Sequence, residues 1–318
     1  MDLNNLINNF KSRFSKQEDK LKLSIGLDWG FSSLKMVVLE SRDNNYILKD
    51  ARIIALPSQD VKLSFPLNDL DLSGGVNLGI CGPNVVVRYI AMTKMKDEEF
   101  RNSLRYEAAS HLPFPVEEVN LDGIILKELA DNQMLAMLVA AKKDFINQRL
   151  KIFQESGIRV NILDIDSLAL INAFNYSLSH KQDGSYPGAV ALLNIGACVT
   201  NINILEDGIP HFSRDINVAG RDLTKQVSRE ATIAKFVSEI RKSFDYYEAG
   251  STAVLKKIFL SGGGSLVPDL GSNLENFLGA QIEKWDAFSN FSFAPGIDEA
   301  NIRQNSAQFA VAVGLALR

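Results

Sequence analysis

Leu27–Glu40 reads LDWGFSSLKMVVLE, and Leu193–Glu206 reads LNIGACVTNINILE. Set 166 residues apart, the two stretches share a leading Leu, an Asp or Asn, a Gly, a small-residue turn, an alternating run and a closing Leu-Glu. Each reads as a strand rich in branched residues, a glycine turn and a returning strand. A chain that carries this pattern twice is expected to build two equivalent sheets, each with a backbone turn at its end.

The flanking sequence extends both copies. Around the first, Leu23–Asp28, Leu34–Glu40 and Tyr46–Ala55 read as an antiparallel meander, with further strands at Val76–Cys81 and Val85–Ala91. Around the second, Ala189–Ile195, Thr200–Glu206 and Gly208–Asp215 form another, closed by the hairpin dipeptide Asp207-Gly208. Between them lie a helix at Asp97–Ser110 stopped by Pro113 and Pro115, and a strand pair at Val119–Glu128 and Met134–Ala141. A helix at Phe145–Ser156, a strand at Arg159–Ile165 and a helix at Ser167–Leu178 follow. The polar loop His180–Pro187 marks the expected change of domain, while Pro57–Gly75 reads as irregular backbone.

Glycine at Gly30 and Gly196 allows main-chain amides to approach an anion, and the carboxylate of Asp28 can hold a metal or its waters. Taken singly, such a turn is more often plain hairpin chemistry. Facing one another, the two would clamp a polyphosphate. A third glycine site, Ser261-Gly262-Gly263-Gly264-Ser265, follows the short strand Lys257–Leu260 and precedes a helix expected from about Pro268 to Leu278. It reads either as a contact for a base or phosphate, aided by the positive end of that helix, or as a flexible strand-to-helix connection. The small residues Ala307, Ala310, Ala312, Gly314 and Ala316 fall on a helix expected over Gln304–Leu317, suited to close packing at a hinge or in a core.

Bulk composition narrows the function classes. With 34 basic and 38 acidic residues and a net charge of −4, the chain lacks the basic footprint that nucleic acid requires. Cys81 and Cys198 stand far apart without CxxC or histidine company, which argues against a disulfide framework or zinc and for a reducing compartment. The longest apolar run, Met134–Ala141, is about a third of a bilayer-crossing helix, and no signal-peptide pattern opens the chain, so a cytoplasmic protein is expected. Leu3, Leu6, Ile7, Phe10 and Phe14 share helical spacing with Lys11, Arg13 and Lys16 around them; residues 1–16 read either as a mobile tail or as a helix making weak membrane or partner contact.

In this order, the pieces resemble the actin, Hsp70 and sugar-kinase superfamily from about Leu21 to Arg318. Asp28–Lys35 resembles its first phosphate turn, Asp164-Ile-Asp166-Ser-Leu-Ala-Leu170 the first connecting segment and Asn194–Thr200 the second phosphate turn. Leu260–Ser265 resembles the adenosine motif and Gln308–Leu317 the second connecting helix. The run Glu107-Ala-Ala-Ser-His-Leu-Pro-Phe-Pro-Val116, then Val139-Ala-Ala-Lys-Lys143, then Asp215 before Ile216-Asn-Val-Ala-Gly220-Arg-Asp-Leu223, resembles the PilM family of type IV pilus assembly.

That resemblance implies a two-domain α/β actin-like ATPase (ribonuclease H-like) fold with duplicated mixed sheets, flanking helices and an interdomain cleft. The domains would be 22–180 with the helix 304–318, carrying an inserted subdomain at about 93–143, and 181–303; residues 1–21 form the tail. It implies ATP and Mg²⁺ in the cleft. Asp28 would hold the metal's water shell, Gly30 and Ser32 would offer amides, Phe31 lies in the same turn and Lys35 would neutralise phosphate charge. Asn194, Gly196, Ala197 and Cys198 would form the opposite loop, Gly262, Gly263 and Gly264 would flank the nucleoside, and Asp166 would orient water.

It implies as partner the N-terminal peptide of a PilN-type inner-membrane protein, docked in the region Thr93–Lys143, together with other pilus platform and motor components and a peripheral place at the inner membrane. Three departures weigh on catalysis. Asn194 stands where the pattern has aspartate, Phe31 where it has a hydroxyl residue, and the span from Gly220 to Phe236 lacks an inserted helical subdomain. Weak hydrolysis, or a nucleotide-independent scaffold of a pilus or type II secretion system, is the expected consequence; a small-molecule kinase is a third reading, without an evident substrate domain.

Overall fold

A computed structural model of the chain describes residues 23–42, 45–56, 72–179, 186, 188–225 and 229–318. The readings made above for residues 1–21, for most of Pro57–Gly75 and for the loop His180–Pro187 lie almost wholly outside these. By internal contacts the described residues form two compact units, one of Cys81–Ser156 and a larger one of the described residues of 18–80 with Gly157–Arg318.

The larger unit holds two sheets of matching topology. In the first, β1 (Leu23–Trp29), β2 (Ser33–Arg42) and β3 (Asn45–Ala55) run as an antiparallel meander, and β4 (Val76–Ile80) and β8 (Val160–Ile165) add in parallel beside β1. In the second, β9 (Ala189–Ile195), β10 (Thr200–Glu206) and β11 (Ile209–Ile216) repeat the meander, and β12 (Leu255–Ser261) and β13 (Gln281–Lys284) add in parallel beside β9. The strand β14 (Ser292–Phe293) extends the first sheet beyond β3. Asp207 and Gly208 both take positive φ, 52° and 79°, so the β10–β11 connection has the backbone that its Asp-Gly sequence favours.

Two helices fill the space between the sheets. α3 (Asp166–Ser179) and α8 (Ala310–Ala316) share one core cluster with Val37 and Leu39 of β2 and with Val190, Leu192, Leu205 and Phe259 of the second sheet. Every residue of α8 is buried. Backbone-to-backbone contact is what the small residues make possible: a Cβ on Gly314 would collide with the Ala169 carbonyl of α3, and one on Gly26 with the backbone of Ala312 and Ala316. Asn172 and Asn77 donate to the Gly314 and Leu315 carbonyls at 3.0 and 2.9 Å. The helix expected over Gln304–Leu317 is in fact divided: α7 (Glu299–Gln304) ends at Asn305, whose side chain donates to the Asn301 carbonyl, and a 3₁₀ turn over Ser306–Phe309 leads into α8.

The outer face of the second sheet is covered by α5 (Arg229–Glu248) and α6 (Leu270–Leu278), with Phe236, Ile240, Phe244, Leu270, Leu274 and Leu278 in a second cluster. The helix α5 was not read from the sequence, although Phe236, Ile240, Phe244 and Tyr247 recur at its period. A short helix, α4 (Gly220–Leu223), precedes it.

At the end of β8, Asp164 accepts from Arg318 Nε at 2.6 Å, both side chains 11% exposed. Removing the guanidinium would strand a mostly buried carboxylate. Arg318→Ala should therefore lose about 3 kcal/mol of unfolding free energy, read as a lower urea midpoint with unchanged slope.

The smaller unit is a three-stranded antiparallel sheet in the order β5 (Val85–Thr93), β7 (Gln133–Lys142), β6 (Val119–Glu128). α1 (Asp97–Ala109) lies on one face, burying Phe100, Leu104 and Ala108 against Ile90, Met134, Ala136 and Leu138. α2 (Lys143–Glu155) follows β7 directly. The region Thr93–Lys143 falls inside this unit, which extends beyond it on both sides.

Candidate functional site

The two quoted stretches form hairpins of the same register. Opposite partners are Asp28 with Lys35 and Trp29 with Leu34 in the first, and Asn194 with Asn201 and Ile195 with Thr200 in the second, the same pairs displaced by the sequence repeat. Gly30 N–H donates to Ser33 O at 3.1 Å and Gly196 N–H to Val199 O at 3.0 Å, leaving the two-residue loops Phe31-Ser32 and Ala197-Cys198. The Gly30 amide, expected to face a ligand, is thus spent inside its own turn, as is that of Gly196.

In the first hairpin the opposed Asp28 and Lys35 form an ion pair of 3.1 Å, and Asp28 is 7% exposed. Directly opposed residues in a non-slipped register bring their side chains together, so the strand pairing itself makes this contact. A Cβ on Gly30 would stand 2.8 Å from Lys35 Nζ, so the ammonium lies against the turn.

In the second hairpin Asn201, the counterpart of Lys35, donates from Nδ2 to Ser167 Oγ at 2.9 Å and to Asp215 Oδ1 at 2.7 Å. Asn203 donates to Asn201 Oδ1 at 2.5 Å, and Ser213 to Asn203 Oδ1 at 2.6 Å. The buried amides of β10 are thereby satisfied, and the chain of bonds joins the second hairpin to the first turn of α3. Asp166 opens that helix, and Gly79 of β4 has no side chain where the Asp166 carboxylate sits.

The glycine run is folded onto the second hairpin. Gly262, at φ 79°, donates to Ala307 O at 2.7 Å, and a Cβ there would stand 2.7 Å from Asn194 Oδ1. A Cβ on Gly264 would overlap the Ile195 side chain. Asn194 Oδ1 accepts from Ser261 Oγ at 3.3 Å. The freedom of Gly262 and Gly264 is therefore used by the protein to bring the run against β9, while Gly263 is exposed. The helix expected from about Pro268 begins instead at Leu270, behind Asp269 in the left-handed conformation, with a 3₁₀ turn over Gly263–Leu266 between it and the glycines.

Past β11 the chain returns to the same place. Gly220 N–H donates to Gly196 O at 2.9 Å and Arg221 N–H to Ala197 O at 3.0 Å. From there the Arg221 guanidinium reaches the Phe31 ring at the tip of the first hairpin, 4.0 Å from its centroid. The two glycine hairpins thus stand on either side of a single guanidinium-to-ring contact.

The family model for type IV pilus assembly protein PilM matches residues 73–235 and 232–318. The chain belongs to the PilM family. The solved structure of a PilM-PilN type IV pilus biogenesis complex is similar to it at a TM-score of 0.81 and 23% identity, covering 94% of this chain and 99% of that one. A protein of actin-like ATPase fold and unknown function from Bacteroides thetaiotaomicron is similar at a TM-score of 0.50 and 12% identity, covering 84% and 93%. The fold of this PilM-family chain is the actin-like ATPase fold, and its role is in type IV pilus assembly.

Of the residues singled out in the sequence, the structure gathers Asp28, Gly30, Phe31, Ser32 and Lys35 in one hairpin, and Asn194, Gly196, Ala197 and Cys198 in the other. Gly262 and Gly264 pack on the second hairpin, and Asp166 lies one residue before the Ser167 that bonds it. Three residues were missed. Arg221 had no visible partner in sequence, Gly79 looked like any strand glycine, and Asn201 was legible only as the repeat mate of Lys35. Among the described residues no group of three or more His, Cys, Asp or Glu is placed to hold a metal. No described helix is long and apolar enough to cross a membrane.

Proposed function

We propose that this PilM-family protein is an adaptor that binds ATP with Mg²⁺ between its two glycine hairpins and docks the N-terminal peptide of a PilN-type inner-membrane protein on the unit containing Thr93–Lys143. On this reading it works in the cytoplasm, peripheral to the inner membrane, where other pilus platform and motor components can reach it. The observation that carries the nucleotide half is the meeting of the two hairpins through Arg221 and Phe31. The groups that suit a polyphosphate are the exposed loop residue Ser32, a lysine ammonium at the turn, and the exposed Gly263 beside the second hairpin. Asp28 would hold Mg²⁺ through its waters, and the metal would supply charge neutralisation of the phosphates.

The chain's own residues then bind and position. Lys35 must divide its charge between Asp28 and the phosphates, Asn194 orients through Ser261 without adding charge, and Asp166 is the acid available to orient a water. With one carboxylate fewer than a paired-aspartate site, hydrolysis should be slow. The peptide half is supported by the separateness of the 81–156 unit and by the likeness to the PilM-PilN complex over nearly the whole chain.

A second reading keeps the partner and removes the nucleotide, leaving an actin-like scaffold. The self-satisfied Asp28–Lys35 pair favours it. Titration with a fluorescent ATP analogue, with and without Mg²⁺, separates the two: saturation well below millimolar is expected, and no saturable binding at millimolar ligand leaves only the scaffold. For the partner, a synthetic N-terminal peptide of the PilN-type protein should bind at least about tenfold more tightly than its scrambled form, and equal affinities would remove the docking proposal.

A further inference from the structure

Between the hairpins the electrostatic bookkeeping is uneven. Lys35 is matched by Asp28 at 3.1 Å, Asp215 is engaged by Asn201, and Asp222 accepts from Ala219 N–H at 3.3 Å and pairs with Lys225 at 3.2 Å. Arg221 is different. Among the described residues no carboxylate lies within ion-pair distance of its guanidinium, which rests on the face of Phe31. Its backbone is nonetheless tightly placed, because the Arg221 and Gly220 amides are bonded to Ala197 and Gly196 of the second hairpin. A backbone bonded to one hairpin and a guanidinium over the ring of the other put a full positive charge at a contact that links the two.

We propose that Arg221 reads the phosphate tail of the bound nucleotide: a nucleoside triphosphate draws the guanidinium off Phe31 onto its terminal phosphate oxygens, so that tail charge decides whether the hairpins are joined through the ring or through the ligand. This rests on the nucleotide reading above and adds to it a residue that distinguishes triphosphate from monophosphate. The physical choice is between two partners for one cation. A ring face attracts a guanidinium through its quadrupole, weakly where solvent reaches it, and Phe31 is 36% exposed. A phosphate accepts two parallel charge-assisted bonds from the planar fork, a stronger and more directional contact. Arginine serves both, because its flat guanidinium stacks on an aromatic ring and also pairs with a phosphate; lysine does neither as well. Phe31 is then the resting place of the cation, which accounts for an aromatic residue at the tip of a phosphate turn.

The test uses the full chain with Mg²⁺ and fluorescent ATP and AMP analogues, comparing wild type with Arg221→Ala, Arg221→Lys and Phe31→Ala, and inorganic tripolyphosphate as a competitor. Arg221→Ala should weaken ATP-analogue binding about tenfold or more and AMP-analogue binding less than about twofold, as expected when one bidentate phosphate contact is lost. Arg221→Lys should fall between, and tripolyphosphate should compete more weakly against Arg221→Ala than against wild type. Phe31→Ala should keep or raise ATP affinity, since it removes the competing partner. An unchanged ATP-to-AMP ratio in Arg221→Ala, tighter ATP binding in that variant, or an equal loss in Phe31→Ala would each overturn the proposal while leaving nucleotide binding intact. Failure of wild type to bind either analogue would overturn the nucleotide reading itself, and the role of Arg221 with it.

Discussion

Gly314→Leu should leave little folded protein. The position is occupied by glycine because the backbones of α8 and α3 touch there, and any Cβ would lie inside the Ala169 carbonyl. The obstacle is main chain at Ala169, a fully buried residue of α3, so no side chain can rotate away. Overpacking in a rigid core costs up to about 3 kcal/mol even where neighbours adjust, and a domain's whole margin is about 5–15 kcal/mol. Separating the helices would also strain Asn172 and Asn77, which bond the α8 carbonyls at Gly314 and Leu315. We expect insoluble or molten protein for Gly314→Leu and a urea midpoint well below wild type for Gly314→Ala. Wild-type stability in Gly314→Ala, read by urea denaturation followed by circular dichroism, would contradict this account of how α8 joins the sheets.

Gly30→Asp should do the reverse, sparing the fold and abolishing nucleotide binding. Gly30 is not among the glycines at positive φ, and the atom nearest to an added Cβ is Lys35 Nζ, the far end of a long side chain paired with Asp28, with the Ser33 carbonyl at 3.1 Å and Asp28 Oδ1 at 3.8 Å behind it. The new carboxylate would meet that ammonium and be stabilised by it, so the urea midpoint should move little. For a polyphosphate the same change inserts a negative charge into the turn and takes up the lysine that would answer it. The ATP analogue should bind at least about a hundredfold more weakly, about 2.7 kcal/mol. An affinity within threefold of wild type would place the phosphates somewhere other than this turn. Asp28, freed from part of its hold on Lys35, is not expected to compensate, because it contributes charge of the wrong sign.

The two substitutions separate the roles of glycine in this chain. At Gly314 and Gly26 it lets one backbone rest on another, and at Gly262 and Gly264 it lets a loop rest on β9. At Gly30 the nearest atom is the end of a lysine side chain, with the Ser33 carbonyl next at 3.1 Å. Sequence alone offers the same letter at all five positions, and only the packing shows that Gly262 and Gly264 rest on β9.

Much of the fold was nevertheless legible in the primary structure, and the reason is locality. Alternating branched residues, the turn glycines and the Asp207-Gly208 pair act over a few residues, so both meanders and the displacement between them could be read from the quoted stretches, as could the helices at 97–109 and 166–179. Elements whose form depends on what lies beyond them were misread: the last helix breaks at Asn305, and α5 was overlooked until the second sheet it covers was in view. The contacts that make a candidate site are less local still. Arg221 meets Phe31, Asn201 meets Ser167, and Gly314 meets Ala169 only because two sheets share the helices between them, and no periodicity along a chain encodes which distant partner a side chain will face. The sequence by itself determined the two hairpins and the family; the tertiary structure decided that they confront one another, through the packing of α3 and α8 between their sheets.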